Sequence, residues 1–490
     1  MPTGIFEAGF AGRCRQFSFI VAAAFVASAP LGCTRTGVAR PNIVLASIDS
    51  LRHDHLHCSG YERETSPTID RLAREGVRFE AAVSTTSWTL PAHAALFTGL
   101  YDSSHGLVDN GLRLAPELTT LAESLAAEGY HTAGFFGGPY LHQTFGLGDG
   151  FEVWQSCMTA LPDDLSEAQL RDESRSRKGL SHRDVTGPRT LTEVTRWADT
   201  RPKDRPFFLF VHLWDVHYDF IPPPPYDRLF DPDYQGTISG ADFMENAAVN
   251  RAMDPRDLAH LVALYDGEIR FTDEILAKIL DVLRSRGMLE DTLTVISADH
   301  GEEFFEHGNK GHQKTLFDEV VRVPLVLHWP GHLPAGHVVR DQVRSIDLMP
   351  TLLGVARVSR LPAMQGRDIL PLAQGRALSP QAALLELHAD GQDQRALRTL
   401  ELKAYARGTL RRFRVADAAY DLALDPHERI AMRRGSEPRI DVAFEELERT
   451  RATAQALRLS LGAGSRAADV DDETRERLRK LGYLEGSRKE

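Results

Sequence analysis

Residues 87–99 read Ser-Trp-Thr-Leu-Pro-Ala-His-Ala-Ala-Leu-Phe-Thr-Gly, so Thr89 sets a hydroxyl just ahead of a Leu-Pro pair and a run of small residues. Proline is favoured in the first turn of a helix, where its missing N–H costs nothing. The pattern predicts a hydroxyl at a helix N-terminus, where free backbone N–H groups and the positive end of the dipole suit an anionic substrate or a developing alkoxide. The plainer alternative is that Thr89 is an N-cap. Three further residues could take part in chemistry. Asp49 follows the apolar run 41–48, and Asp299 and His300 follow the apolar run 293–298 in Ala-Asp-His-Gly. Carboxylates with an imidazole can hold a divalent ion. Such an ion lowers the pKa of a bound hydroxyl and offsets charge on an anionic ester. Taken singly, an Asp after a strand is often a helix cap, and Asp-His-Gly is often a turn.

The elements that must position these groups alternate. Residues 41–48 read as a strand buried on both faces, as in a parallel sheet. Ser66 and Pro67 predict the start of a helix that Gly76 closes. Further buried strands are predicted at His131–Phe136, Phe207–Leu213, Leu293–Ala298 and Val323–His328, with helices at Glu117–Gly129 and Asp257–Arg286. This alternation implies an α/β fold with a doubly wound, mostly parallel central sheet flanked by helices. Ligands in such sheets bind beyond the carboxyl ends of the strands, where Asp49 and Asp299 fall. Residues 158–190 and 219–256 read as surface insertions of the kind that wall a pocket. After about residue 376 the pattern changes: Arg398–Arg407 and Arg411–Val415 predict a hairpin, charged helices end the chain, and Leu478–Tyr483 reads as a docking segment.

The stretch around Thr89 resembles the sulfatase signature of the alkaline phosphatase superfamily, which places Cys or Ser, any residue, Pro, Ser, Arg, and later Leu-x-Thr-Gly. The slots here hold Thr89, Leu90, Pro91, Ala92, His93 and then Leu96-Phe97-Thr98-Gly99. The resemblance runs from about Pro41 to the C-terminus. It implies a catalytic domain over 41–375 and a small C-terminal α+β subdomain with a helical tail over 376–490. It also implies that Asp49, Thr89, Asp299 and His300 meet around a divalent metal beneath the nucleophile. Many sulfatases carry a second Asp where this chain has Ser50, which weakens an all-oxygen calcium cage. The remaining set suits zinc or manganese at least as well as calcium, and resembles one site of the nucleotide pyrophosphatase/phosphodiesterases.

The resemblance extends to further residues. His217, in His212-Leu-Trp-Asp215-Val-His217, matches an active-site His that protonates a leaving oxygen or contacts the transferred group. Asp215 and His212 either support it or are turn and strand residues; His212 is taken as a substrate-binding candidate. In Gly311-His312-Gln313-Lys314 the family places a cation on substrate oxygens, which makes His312 the first candidate and Lys314 the second. His93 stands in the Arg slot as a substrate-binding candidate, or is a structural helix residue. Asp215, His217 and His312 also form a conceivable second metal site. Glu302, Glu303, Glu306 and His307 read as a solvated acidic loop, and His105 matches a family position without an assignable role.

Threonine decides the chemistry. Sulfatases use formylglycine, an aldehyde made by oxidising Cys or Ser. Oxidation of Thr would give a ketone, so no formylglycine is expected. A sulfated Thr also lacks the second hydroxyl through which the aldehyde hydrate expels sulfate. Hydrolysis of phosphate mono- or diesters through nucleophilic Thr89 is therefore the leading expectation. The alternatives are a sulfuric or phosphonic ester hydrolase without formylglycine, and a silent sulfatase fold acting as an envelope binding protein. Thr-bearing transferases of the superfamily carry several membrane spans ahead of the domain; none is read in this chain, which favours a hydrolase.

Composition bounds the partners. A net charge of −12 with no basic run argues against nucleic acid, and the substrate that the resemblance implies is a small-molecule or glycan- or lipid-linked anionic ester. Arg13 and Arg15 precede an apolar run from about Phe17 to Ala29, which reads as an export signal ending by residue 33. Leu31-Gly32-Cys33 resembles an imperfect lipoprotein box, so the expected location is the bacterial periplasm, free or lipid-anchored through Cys33. An uncleaved hydrophobic anchor is the alternative. Cys58 and Cys157 could pair in an oxidising compartment, but two cysteines make no disulfide framework.

Overall fold

The computed structural model describes residues 40–159, 184–389, 392–409, 417–464 and 466–468. The expected export signal, most of the 158–190 insertion, Arg411–Val415 and Leu478–Tyr483 lie outside the described residues.

Eight strands build the main sheet: β1 (Asn42–Ile48), β2 (Val77–Val83), β3 (His131–Phe136), β4 (Val153–Ser156), β5 (Phe207–Leu213), β6 (Thr292–Ala298), β7 (Arg322–His328) and β8 (His337–Arg344). Their order is β8-β2-β7-β6-β1-β5-β3-β4. All neighbours are parallel except β7, which runs antiparallel to both β2 and β6. The central strands are uninterrupted apolar runs because both of their faces are covered, as parallel strands require. β2, β4 and β8 escape the sequence reading: β2 (Val-Arg-Phe-Glu-Ala-Ala-Val) alternates toward the sheet edge and shows no continuous apolar run.

The helices follow the predicted positions with small shifts at their ends. Pro67–Glu75 begins with proline at N1, but Ser66 does not cap it. Two of its first N–H groups, those of Thr68 and Ile69, donate instead to the Asp273 carboxylate of the long helix Pro255–Ser285 at 2.8 and 3.0 Å. Leu121–Ala127 starts at a capping box formed by Thr120 and Glu123.

A separate antiparallel sheet, Ala383–Ala389, Gln392–Arg398, Leu402–Thr409, Ala418–Asp421 and Met432–Arg433, follows the main one, with the Pro438–Ser460 helix against it. Arg398–Arg407, expected as one arm of a hairpin, is divided between two strands. The turn falls at residues 399–401, where the Thr399 N–H donates to the Leu402 carbonyl at 2.8 Å. This sheet is joined to the main domain by a buried ion network. Lys403 Nζ lies 2.7 Å from both Asp318 and Glu428, and Arg398 donates to both Asp318 oxygens. Cys58 and Cys157 are separate free thiols. The first sits by the Pro67–Glu75 helix, where its N–H donates to Asp70, and the second follows β4 at the sheet edge.

Candidate active site

Register brings the two carboxylates together. Ile48 of β1 pairs with Ala298 of β6 in parallel, so the next residues, Asp49 and Asp299, leave the sheet side by side at its carboxyl edge. Ser47 pairs with His212 of β5 on the other flank of β1, which puts that imidazole beside Asp49. The fully buried Thr89–Thr98 helix then presents Thr89 as its first residue, with Pro91 in its first turn. A helix buried on all sides needs no amphipathic stripe, and its small residues allow the close approach.

The groups converge tightly. Thr89 Oγ1 donates to Asp49 Oδ2 at 3.3 Å and lies 3.3 Å from His300 Nε2. His300 Nε2 is in turn 3.8 Å from Asp49 Oδ1 and 3.6 Å from Asp299 Oδ2. The His300 Nδ1–H donates to the Gly301 carbonyl at 2.9 Å, which points the Nε2 lone pair at the cluster. Ser50, in the left-handed region at φ 55, donates through Oγ to Asp49 Oδ1 at 2.8 Å and through its N–H to Asp299 Oδ1 at 3.2 Å. The residue in the second-Asp slot thus orients the two carboxylates from the side.

Electrostatics separate the two acids. Burial works against the Asp49 carboxylate, but the pull of His212 and the charges of His217 and His300 outweigh it and hold its pKa below the usual range. Burial and the neighbouring Asp49 charge push Asp299 upward. A divalent ion fits this arrangement. Asp49, Asp299 and His300 group their donor atoms in a buried space, and Asp299 Oδ2 is a buried oxygen without a hydrogen-bond partner. Donors about 3.3 Å apart span the edge of a tetrahedron with bonds of about 2.0 Å.

The remaining sequence candidates are placed as follows. His212 donates through Nδ1 to the Gly137 carbonyl at 2.8 Å and brings Nε2 to 3.3 Å from Asp49 Oδ2. A Cβ on Gly137 would lie 2.5 Å from Trp214 Cβ, so only glycine lets the backbone approach this closely. His93 lies under Thr89, at van der Waals range edge-on to His212. Its Nδ1 is 2.9 Å from the Thr89 carbonyl and its Nε2 3.1 Å from Ser47 Oγ. Both ring nitrogens are thus taken by the protein, and burial lowers its pKa to about 3. His217 stacks on Trp214 with ring centroids 3.9 Å apart, and its Nδ1–H donates to the Tyr218 carbonyl at 2.6 Å. Burial lowers its pKa to about 4. His312 meets both His300 and His217, at 4.4 and 5.0 Å between ring centroids. Lys314 is half-buried two residues further on, its carbonyl held by Gln394 Nε2 at 2.7 Å.

Asp215 takes no part in this cluster. Its two oxygens accept the Thr186 and Gly187 N–H groups at 2.5 and 2.7 Å and so cap the Gly187–Thr200 helix, which removes it from any second metal site with His217 and His312. His105 is likewise committed locally, accepting from the Leu107 N–H and facing Asp102.

The run Glu302–His307 is not a solvated loop. Glu302 and Glu303 are fully buried, Glu306 pairs with Arg52 and His307 with Glu319. Both Glu302 oxygens lie 3.3 Å from His312 Nδ1, so this carboxylate orients the imidazole. Charge alone gave no sign of this in the sequence, because the partners that bury the run are far away along the chain.

Comparison with known proteins agrees with this geometry. The Sulfatase family matches residues 41–358, and the C-terminal family of N-sulphoglucosamine sulphohydrolase matches residues 306–437. An ulvan-active sulfatase from Formosa agariphila is 27% identical over 345 residues, which cover 68% of this chain and 65% of that protein, just under two thirds of its length. Among solved structures, BT4656 in complex with its substrate D-glucosamine-2-N,6-O-disulfate shares the fold at TM-score 0.69 and 18% identity, over 85% of this chain and 98% of that one. The phosphonate monoester hydrolase of Agrobacterium radiobacter does so at TM-score 0.66 and 23% identity, over 89% and 99%. The match over residues 41–358 shows that the chain belongs to the sulfatase family, and in it Thr89 stands at the metal-binding cluster in place of the Cys or Ser that becomes formylglycine.

Proposed function

We propose that this protein hydrolyses phosphate mono- or diesters with Thr89 as the nucleophile. One observation carries the reading: the Thr89 hydroxyl sits 3.3 Å from both Asp49 Oδ2 and His300 Nε2. Threonine there can attack as an alkoxide but cannot be converted to an aldehyde. A divalent ion held by Asp49, Thr89, Asp299 and His300 would lower the hydroxyl's pKa and offset charge on the ester.

In the first half-reaction Thr89 gives up its proton to solvent, Oγ1 bonds to phosphorus, and the bond from phosphorus to the leaving oxygen breaks. His217 and His312 face the transferred group. His217, with its Nδ1–H on the Tyr218 carbonyl and its pKa lowered to about 4, presents an Nε2 lone pair, so, with Glu302 behind the Nδ1 of His312, proton transfer to the leaving oxygen falls to His312 Nε2. In the second half-reaction water gives a proton to that nitrogen and attacks phosphorus, and the bond to Oγ1 breaks as Thr89 recovers its proton. Likeness to structures of both sulfated-sugar and phosphonate hydrolases supports an anionic ester, glycan-linked in the first instance. The phosphonate hydrolase fold also keeps phosphonic esters as a second reading. We place the protein in the bacterial envelope, on the strength of the apolar run after Arg15 and of Cys33 as a lipid acceptor.

Acid quenching during turnover of an aryl phosphate, followed by peptide mass spectrometry, tests this reading. Phosphate on Thr89 is expected. Turnover with no phosphorylated peptide at any quench time, and equal turnover by Thr89→Ala, would refute it.

A further inference from the structure

Two imidazoles, not one, are presented to the carboxylate pair in the same way. His300 donates its Nδ1–H to the Gly301 carbonyl and His212 donates its own to the Gly137 carbonyl, at 2.9 and 2.8 Å. Each bond commits one nitrogen and turns the Nε2 lone pair inward. A backbone carbonyl on the outer nitrogen is the usual support of a metal-bound histidine. His212 Nε2 then faces Asp49 Oδ2 at 3.3 Å, in a fully buried space, without a hydrogen-bond partner of its own. Two acceptors so placed need a cation or a proton between them. Asp299, whose Oδ2 is likewise buried without a hydrogen-bond partner, groups with this ring and with His93. His93 shares that space but spends both nitrogens on Thr89 and Ser47.

We propose that His212 is a further ligand of the divalent cation at this site, supplying the donor that Ser50 cannot. This rests on the metal reading of Asp49, Asp299 and His300. A second nitrogen shifts the site away from calcium, which takes oxygen ligands, and toward zinc-class ions.

Zinc affinity of the full chain, measured by competition with a chromophoric chelator, tests it with His212→Asn, which keeps a side-chain N–H for the Gly137 carbonyl. Weakening by at least about tenfold is expected, with a changed visible spectrum of the cobalt-loaded protein. A protonated His212 paired with Asp49 would instead repel the ion. Unchanged or tighter zinc binding by His212→Asn therefore overturns the proposal. Asp299→Asn is the companion arm: if it too binds zinc as tightly as wild type, the metal reading itself fails, whereas loss there with no change at His212 sinks only the inference. Should His212→Asn not fold in chelator-treated buffer, X-ray absorption of the zinc-loaded wild type decides, with two imidazoles expected and one contradicting.

Discussion

Thr89 carries on Cβ a methyl group that neither Cys nor Ser has, and that methyl decides which intermediate can exist. With no route to an aldehyde, the hydroxyl must act as it stands, and the cluster around it is arranged to activate it. Thr89→Ala should cut phosphoester turnover by at least about 10³-fold while Thr89→Ser retains most of it, read from kcat/KM with an aryl phosphate. The Glu302–His312 pair gives a second test. Glu302→Gln should lower kcat by about tenfold with little change in KM, because the carboxylate orients His312 without touching substrate; a change confined to KM would contradict that role. At this scale the sequence was partly legible. Asp49, Thr89, Asp299 and His300 stood out because each ends a strand or opens a helix. The inward turn of His212 did not, since it depends on the register of β5 against β1 and on the Gly137 carbonyl. Glu302 was hidden because an acidic run looks the same in a sequence whether it is buried or solvated.

Elements hold the site through buried polar joints between segments distant in sequence. Asp273 ties the long Pro255–Ser285 helix to the first turn of Pro67–Glu75. Asp273→Ala leaves two buried N–H groups without an acceptor and should cost about 2 kcal/mol in a denaturant titration. Lys403 is fully buried between Asp318 and Glu428. Lys403→Met strands two acidic groups and should cost about 3–5 kcal/mol, loosening the C-terminal sheet first; a cost below about 1 kcal/mol would show that the network is not what joins the sheet. The main strands were legible because doubly covered parallel strands are continuous apolar runs. The turn at Thr399-Leu400-Glu401 was not legible because it contains none of the Gly, Pro or Asn residues that normally mark one.

For the molecule as a whole, buried histidines govern the acid limit. Burial and the nearby Arg322 charge hold His53 at about 3 in the folded chain against 6.5 for an ordinary imidazole. The unfolded chain therefore takes up this proton first. The stability from a neutral His53 is complete above about pH 6.5 and is lost as pH falls through the window down to about 3. His53→Gln should flatten the fall in unfolding free energy between pH 6 and 5 by about 1 kcal/mol, as measured by urea titration at each pH. The net charge of −12 has a different consequence: the anionic ester proposed as substrate would reach the site against the overall field, so the positive end of the Thr89–Thr98 helix and a cation held by Asp49, Asp299 and His300 would carry the attraction. The central claim is that a threonine at this cluster turns a sulfatase fold to phosphoryl transfer. Turnover of matched aryl phosphate monoester, phosphate diester and sulfate ester by the zinc-loaded protein and by Thr89→Ala tests it most directly. The account predicts phosphoester hydrolysis that disappears with Thr89. Faster release of sulfate than of phosphate, or phosphoester hydrolysis that survives in Thr89→Ala, would contradict it.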